Sequence, residues 1–123
     1  MGLGITVATI LDNKSAAKSA STDLADCTAI DGSVMIALGI EVLLTFNASA
    51  TLGATVKIFT SADGTNYTSA DTQEYDIPYS NATVRHSFTV AAGHKNYKVQ
   101  VTNLDTGQSI TAIYVYSEPQ VAS

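Results

Sequence analysis

The chain contains little charge and few of the residues from which chemical sites are built. Of its 123 residues 14% are charged, tryptophan is absent, and there are one cysteine and two histidines. The single cysteine, Cys27, cannot form an intrachain disulfide, so we interpret it as a small, partly buried apolar residue. The net charge of -5 argues against a nucleic-acid partner, because phosphate binding needs clustered lysine and arginine, whereas the six basic residues here are dispersed.

Long hydrophobic runs are also missing. The longest apolar stretch, residues 34–46, contains Glu41 and alternates in polarity, which argues against a membrane span. No basic residue precedes Lys14 and the early apolar run is short, so we expect no signal peptide and synthesis in a cytoplasm.

The motifs of common enzyme sites are absent, including nucleophile elbows, phosphate-binding loops and the H-E-x-x-H zinc motif. Glu74 and Asp76 share one face of a predicted strand, and solvated edge charges explain them better than a glycosidase pair. The sequence therefore predicts no enzyme activity and no cofactor.

Metal sites have no better support. His86 falls within a predicted strand and His94 in a turn, and no third ligand stands at a recognisable spacing. Asp63 and Asp105 occur in glycine-containing turns that do not offer the several oxygens that calcium requires. We interpret both aspartates as turn residues and expect no bound metal.

Alternating apolar and polar residues, bounded by turn residues, fill most of the chain and are typical of strands with one buried face. About seven or eight such runs, with turns roughly every 8–12 residues, predict an all-β antiparallel sandwich of jelly-roll or immunoglobulin-like type; a closed barrel is the alternative. We expect one domain over residues 1–123, with residues 117–123 as a short C-terminal tail. The predicted inward face comprises Ile40, Val42, Leu44, Phe46, Val56, Ile58, Phe88, Val99 and Val101.

Several local expectations follow from the turn residues. Runs 40–47 and 54–59 are predicted to pair as an antiparallel hairpin, as are runs 97–104 and 110–116. A first strand over residues 2–11 is expected to end at Asp12 and Asn13, and residues 67–70 form a short strand candidate. Gly39 is expected to mark a bulge or bend within its strand.

Tyrosines and outward apolar residues are the candidate interaction sites. Tyrosine combines apolar area with a polar tip, so it suits a protein interface or a sugar platform, although packing at the rim of the core is the better explanation for any single tyrosine. A sandwich buries one face of each sheet, so apolar residues on the other face need a partner. The candidate interface residues are Leu43, Phe59, Tyr67, Tyr75, Tyr79, Tyr114 and Tyr116.

Two segments resemble a known family. The stretch A-T-V-K-I-F-T-S-A-D-G-T-N-Y, residues 54–67, resembles the strand followed by S-x-D-G-x-N-[W/Y] that is common in small β-sandwich virion proteins of tailed bacteriophages. The stretch Y-K-V-Q-V-T-N-L-D-T-G-Q-S-I-T-A-I-Y-V, residues 97–115, is similar to the closing hairpin of the same proteins.

The resemblance covers most of the chain and implies a non-enzymatic structural protein of the virion, of the capsid decoration or minor head or tail type. It implies partners that are further copies of the chain, as a homotrimer, and the major capsid protein or a neighbouring virion protein. Neither nucleic acid nor a membrane is expected as a partner.

A second resemblance leads to a different function. Discoidin-like carbohydrate-binding domains carry a strand followed by S-x-D-G-x-x-W, and Tyr67 stands here where they usually have tryptophan. The chain also lacks the cysteine pair with which many of them join their termini. Such a module would bind sugar through tyrosines and turn carboxylates at one end of the sandwich.

Overall fold

The computed structural model describes residues 3–33, 35–81 and 83–122, which form two packed antiparallel sheets. Gly2, Val34 and Ser123, which fall within the stretches discussed above, lie outside the described residues. The helical structure described is one 3-10 turn, Leu24–Asp26, and the described residues contain no helix long and apolar enough to cross a membrane. The strands are β1 Leu3–Ile5, β2 Ala8–Ala16, β3 Ile30–Asp31, β4 Met35–Phe46, β5 Ala54–Ser61, β6 Gln73–Ile77, β7 Thr83–Val90, β8 Asn96–Asn103 and β9 Ile110–Ala122.

The order of the strands identifies a jelly roll. The first sheet has the order β1-β9-β4-β7, with β2 pairing β9 next to β1, and the second sheet has the order β3-β8-β5-β6. Along the chain from β2 to β9, every connection between consecutive strands crosses from one sheet to the other, except the connection from β5 to β6, which are neighbours in the second sheet. This interleaved pattern is that of a double-sheet jelly roll, so the predicted all-β sandwich is confirmed and the immunoglobulin-like alternative is not.

The core lies between the two sheets and matches the predicted inward face. The predicted residues in β4, β5 and β8 are all buried, and Phe88 is partly buried and packs against them. The core also includes Tyr97, which is fully buried, together with Ile113 and Val115 of β9.

The two predicted hairpins are wrong. Strands β4 and β5 lie in different sheets, since β4 pairs with β7 and β9 whereas β5 pairs with β6 and β8. Strands β8 and β9 are likewise separated, so the turn at Asp105 leads from one sheet to the other. Alternation identifies the buried face of a strand, but it does not identify the neighbouring strand.

The first edge of the first sheet is irregular. Strand β2 does not end at Asp12 and Asn13, as predicted, but continues to Ala16 with shifts of register against β9. Asn13 has a φ of 50°, in the left-handed region that asparagine tolerates better than most residues. The turn residues Asp12 and Asn13 therefore mark an irregularity within a strand.

The short strand predicted over residues 67–70 is wrong, because these residues belong to a loop.

The irregularities in β4 also lie away from the predicted place. The register against β9 shifts between Met35 and Ala37 and again between Thr45 and Phe46, whereas Gly39 pairs regularly with Thr89 on one side and Glu118 on the other. The glycine at position 39 therefore does not mark a bulge.

The expected tail is wrong for residues 117–122, which continue β9. Glu118 and Pro119 pair with β4 but have no partner in β1 or β2, because residues 6 and 7 interrupt that edge. Proline has no N–H to donate, so a strand tolerates it at a position where no neighbouring strand needs that hydrogen bond. The position of Pro119 beside this gap explains why the proline does not end the strand.

Candidate functional site

Three of the candidate interface residues meet on the outward face of the first sheet. Leu43 of β4 lies directly beside Tyr114 of β9, and Glu41 lies beside Tyr116. Directly opposed residues of antiparallel strands share a face and contact one another. All four side chains are partly exposed, so Leu43, Tyr114 and Tyr116 form a continuous group, which we call the apolar stripe.

The charges beside the apolar stripe are paired with each other. Arg85 of β7 lies next to Leu43 in register, and its Nη1 donates to Glu41 Oε2 at 2.7 Å. The pair brings no net charge to the centre of the sheet. An ion pair at a partly exposed site stabilises little, but two charges that pair with each other cost less to bury than an unpaired charge.

Apolar surface extends from the stripe towards β1. Ile5 pairs with Gln120, which in turn pairs with Ala37, so Ile5 lies on the same face as Leu43. Ile5 and the following Val7 are 59% and 63% exposed. The exposure of these two residues is not predicted from the sequence, because the alternation of the first strand does not show which face is covered.

The outward face of the second sheet is polar, and its side chains form hydrogen bonds with one another. Thr55 Oγ1 donates to Asp76 at 3.0 Å, and the Ser21 and Thr102 hydroxyls lie 2.8 Å apart. Phe59 lies on this face, as predicted, but it is only 8% exposed and offers little surface to a partner. The two outward faces therefore differ in chemistry, and among the described residues it is the first face that carries an open aromatic and aliphatic group.

Tyr75 and Tyr79 occupy neither outward face. The ring of Tyr75 stacks on Phe88 with a centroid distance of 3.9 Å, and its hydroxyl donates to the Thr89 carbonyl. Tyr79 packs edge to face on Phe46, and its hydroxyl donates to the Ala48 carbonyl. Their polar tips are thus bonded within the chain, as expected for tyrosines at the rim of a core.

Tyr67 lines a cleft at one end of the sandwich. The cleft has a volume of about 480 Å³ and lies between the loop of residues 62–72 and the loop of residues 91–95. His94 and Lys95 line its second wall. The contribution of this second loop is not predicted from the sequence, in which the glycine at position 93 is the available signal of a turn.

The Asp63 carboxylate accepts its hydrogen bonds from residues of its own turn. It accepts hydrogen bonds from the backbone N–H groups of Thr65 and Asn66, from the Asn66 side-chain amide and from the Ser61 hydroxyl. These donors, led by the Asn66 backbone N–H, hold the pKa of Asp63 well below its usual range. Gly64, with a φ of 79°, completes the turn as predicted.

The Asp105 carboxylate joins two distant segments. One oxygen accepts from the N–H groups of Gly107 and Gln108, and the other accepts from those of Thr51 and Leu52 at 2.7 and 3.1 Å. Asp105 is only 5% exposed, and these bonds hold its pKa well below its usual range, with Thr51 as the largest contributor. The residue was predicted as a turn former, and the long-range half of its role was missed.

The adjoining Asn103 extends this cluster. Its side-chain nitrogen donates to the carbonyls of Ala16, Ala17 and Gln108, and its side-chain oxygen accepts from the Asp105 N–H. Asn103 and Asp105 therefore tie together the end of β2, the link that leads into β5 and the end of β8, at the end of the sandwich opposite the cleft.

The remaining reactive side chains do not form a common site. Cys27 is buried, its sulfur accepts from the Val99 N–H at 3.4 Å, and burial raises the pKa of its thiol. His86 lies on β7 opposite Val42, whereas the exposed His94 packs edge to face on Tyr97. Within residues 3–33, 35–81 and 83–122, no group of three or more histidine, cysteine or acidic residues is arranged to hold a metal ion.

Comparison with known proteins identifies the fold. No family model and no curated protein sequence matches the chain. The PBSX exported protein XepA superposes with a TM-score of 0.62 at 13% identity, over 96% of this chain and 38% of XepA. The subviral particle of infectious bursal disease virus VP2 gives a TM-score of 0.58 at 11% identity, over 97% of this chain and 32% of VP2.

A CBM4 structure is similar to a lesser degree, with a TM-score of 0.50 at 12% identity over 84% of this chain and 66% of that one. The chain spans less than half the length of XepA and of VP2. At these identities the likeness establishes a shared β-sandwich fold, which occurs in proteins of different function.

Proposed function

We propose that the chain is a non-enzymatic structural protein of a tailed-bacteriophage virion, a capsid decoration protein or a minor head or tail component. The apolar stripe on the first sheet is the observation that carries this proposal. The resemblance of residues 54–67 and 97–115 to phage virion proteins supports it, and the fold shared with a viral subviral-particle protein is consistent with it.

The physical case rests on the difference between the two outward faces. The exposed apolar surface of the first sheet comprises Leu43, Tyr114 and Tyr116, and it continues to Ile5 and Val7. Burying this surface against a partner is favourable by about 25 cal/mol for each Å² of apolar area removed from water. Tyrosine is enriched at protein interfaces because it buries a large area at a small entropic cost. The polar second face then remains towards solvent.

Self-association as a homotrimer would cover this surface. Closed symmetry leaves no apolar face open to further, unlimited association. A trimer also matches the local threefold axes of an icosahedral shell, so the same protein could bind copies of itself and the major capsid protein or a neighbouring virion protein. Its place of action is accordingly the virion.

The direct test of the virion role is the composition of particles. Particles of the phage that encodes the chain, purified on a density gradient and washed in high salt, should contain the chain in a fixed ratio to the major capsid protein. Quantitative mass spectrometry measures that ratio. Its absence from intact washed particles would overturn the proposal.

Leu43→Asp should dissociate the oligomer. The substitution places a second carboxylate beside Arg85, which already pairs with Glu41, so assembly would bury one negative charge in excess; we expect the dissociation constant to rise by about 100-fold or more. Sedimentation velocity over a concentration series measures this change.

Thr102→Asp is the matched control, since it introduces the same charge at a partly exposed strand position on the polar second sheet. It should leave the sedimentation profile of the wild type unchanged. Equal dissociation by both variants, or by neither, would show that the apolar stripe is not the interface.

A further inference from the structure

We propose that the cleft at the end of the sandwich binds an acidic saccharide, that is, a sugar ring that carries a carboxylate. The cleft is separate from the apolar stripe, so this site would act in addition to assembly. Its volume of about 480 Å³ lies within the range of roughly 300–1,000 Å³ that is usual for small-molecule sites.

The first wall of the cleft is held in place by the sheet. The Thr68 and Thr72 N–H groups donate to the Thr60 and Ile58 carbonyls at 3.0 and 2.8 Å, which fixes the loop of residues 62–72 along the edge of β5. Asn66 is held by the Asp63 carboxylate. A wall that is already ordered loses little conformational entropy when a ligand binds.

The second wall is anchored on a core residue. The hydroxyl of the fully buried Tyr97 donates to the Ala91 carbonyl at 2.9 Å and accepts from the His94 N–H at 3.1 Å. The His94 ring packs edge to face on the ring of Tyr97. The loop of residues 91–95 therefore presents His94 and Lys95 from a fixed base, although both side chains are exposed.

The lining has the chemistry of a sugar site with a cationic wall. Threonine hydroxyls and the Asn66 amide offer donors and acceptors to sugar hydroxyls, and Tyr67 offers an aromatic ring to the apolar face of a sugar. His94 and Lys95 are present in the described lining and acidic residues are not; the nearby Asp63 carboxylate is hydrogen-bonded within its own turn. Lys98 Nζ adds positive charge 5.2 Å from the centre of the Tyr67 ring. A ligand carboxylate would form charge-assisted hydrogen bonds with this wall.

The Tyr67 hydroxyl supplies an independent indication. It is buried and has no hydrogen-bond partner among the described residues. A buried polar group without a partner is unusual and calls for an explanation. A sugar hydroxyl at the inner end of the cleft would provide that partner after a small shift of the ring.

The test is a titration of the full chain with galacturonate and, in parallel, with galactose, followed by backbone amide NMR shifts. We expect saturable shifts confined to the loops of residues 62–72 and 91–95, with galacturonate binding about tenfold more tightly than galactose because of its carboxylate. Lys95→Ala should weaken galacturonate binding by about tenfold, whereas Lys18→Ala, an exposed lysine at the opposite end, should not. Equal binding of the two sugars, no saturable binding, or equal effects of the two lysine variants would overturn the proposal.

Tyr67→Phe separates a role in binding from a role in folding. If the hydroxyl forms its hydrogen bond with the ligand and none within the chain, its removal should weaken galacturonate binding and should not lower the midpoint of thermal unfolding. A lower midpoint with unchanged binding would show that the hydroxyl serves the fold alone. None of these measurements depends on the oligomeric state or on phage particles, so failure here is distinct from failure of the proposed virion role.

Discussion

Asp105→Asn should lower the midpoint of thermal unfolding by roughly 10 °C at neutral pH, a large effect for a nearly isosteric change. Each carboxylate oxygen accepts two backbone N–H groups, from Gly107 and Gln108 on one side and from Thr51 and Leu52 on the other. An asparagine amide has one oxygen, so one pair of donors would face an NH₂ group and remain unpaired in a buried site.

The pH dependence of the same variant checks the cause. The pKa of Asp105 is lower in the folded chain than in the unfolded chain, so its carboxylate stabilises the fold above the unfolded-state pKa of about 4. That contribution is lost as the pH falls through the folded pKa. The difference in midpoint between the wild type and Asp105→Asn should therefore narrow as the pH drops below about 4.

Asp63→Asn is the matched control. Asp63 also accepts several backbone N–H groups, but it lies within an exposed turn and its bonds remain local. Calorimetry should show a clearly smaller loss for this variant. If the two variants lower the midpoint equally, the bonds from Asp105 to Thr51 and Leu52 do not contribute as argued.

Leu44→Ala should reduce the free energy of unfolding by about 2–5 kcal/mol, because it opens a cavity in a core that cannot collapse freely. Leu44 is 0% exposed and lies between Ile113 of β9 and Val84 of β7 in the middle of the first sheet. Chemical denaturation measures the change. Leu52→Ala, at a leucine that is 48% exposed, is the control and should change the free energy by less than about 0.5 kcal/mol. A similarly small value for Leu44 would contradict its place in the core.

The sequence predicted the buried faces well because period-two alternation reports burial directly. Leu44 and Val56 could be assigned to the core in this way, and both are fully buried. Alternation carries no information on which strands are neighbours, and for this reason β4 and β5 were wrongly paired across the two sheets. A tail is predicted from residue 117 onward, but the gap between β1 and β2 that accommodates Pro119 within β9 arises only in the folded sheet.

The part of the candidate site that lies along one strand could be predicted from the sequence. The parts formed where distant segments meet could not. Tyr114 and Tyr116 share a face by their spacing, and Leu43 joins them through the register of β4 and β9. The cleft brings Tyr67 near His94 and Lys95 from separate loops, and Asp105 reaches Thr51 across 54 positions of sequence. No local pattern encodes contacts of this kind.

The mass of the purified wild-type chain in solution tests the central claim, assembly through the apolar stripe, most directly. Light scattering coupled to size-exclusion chromatography, with the protein at tens of micromolar, should give three chain masses. A single chain mass at that concentration, with no binding to empty phage shells, would contradict the account.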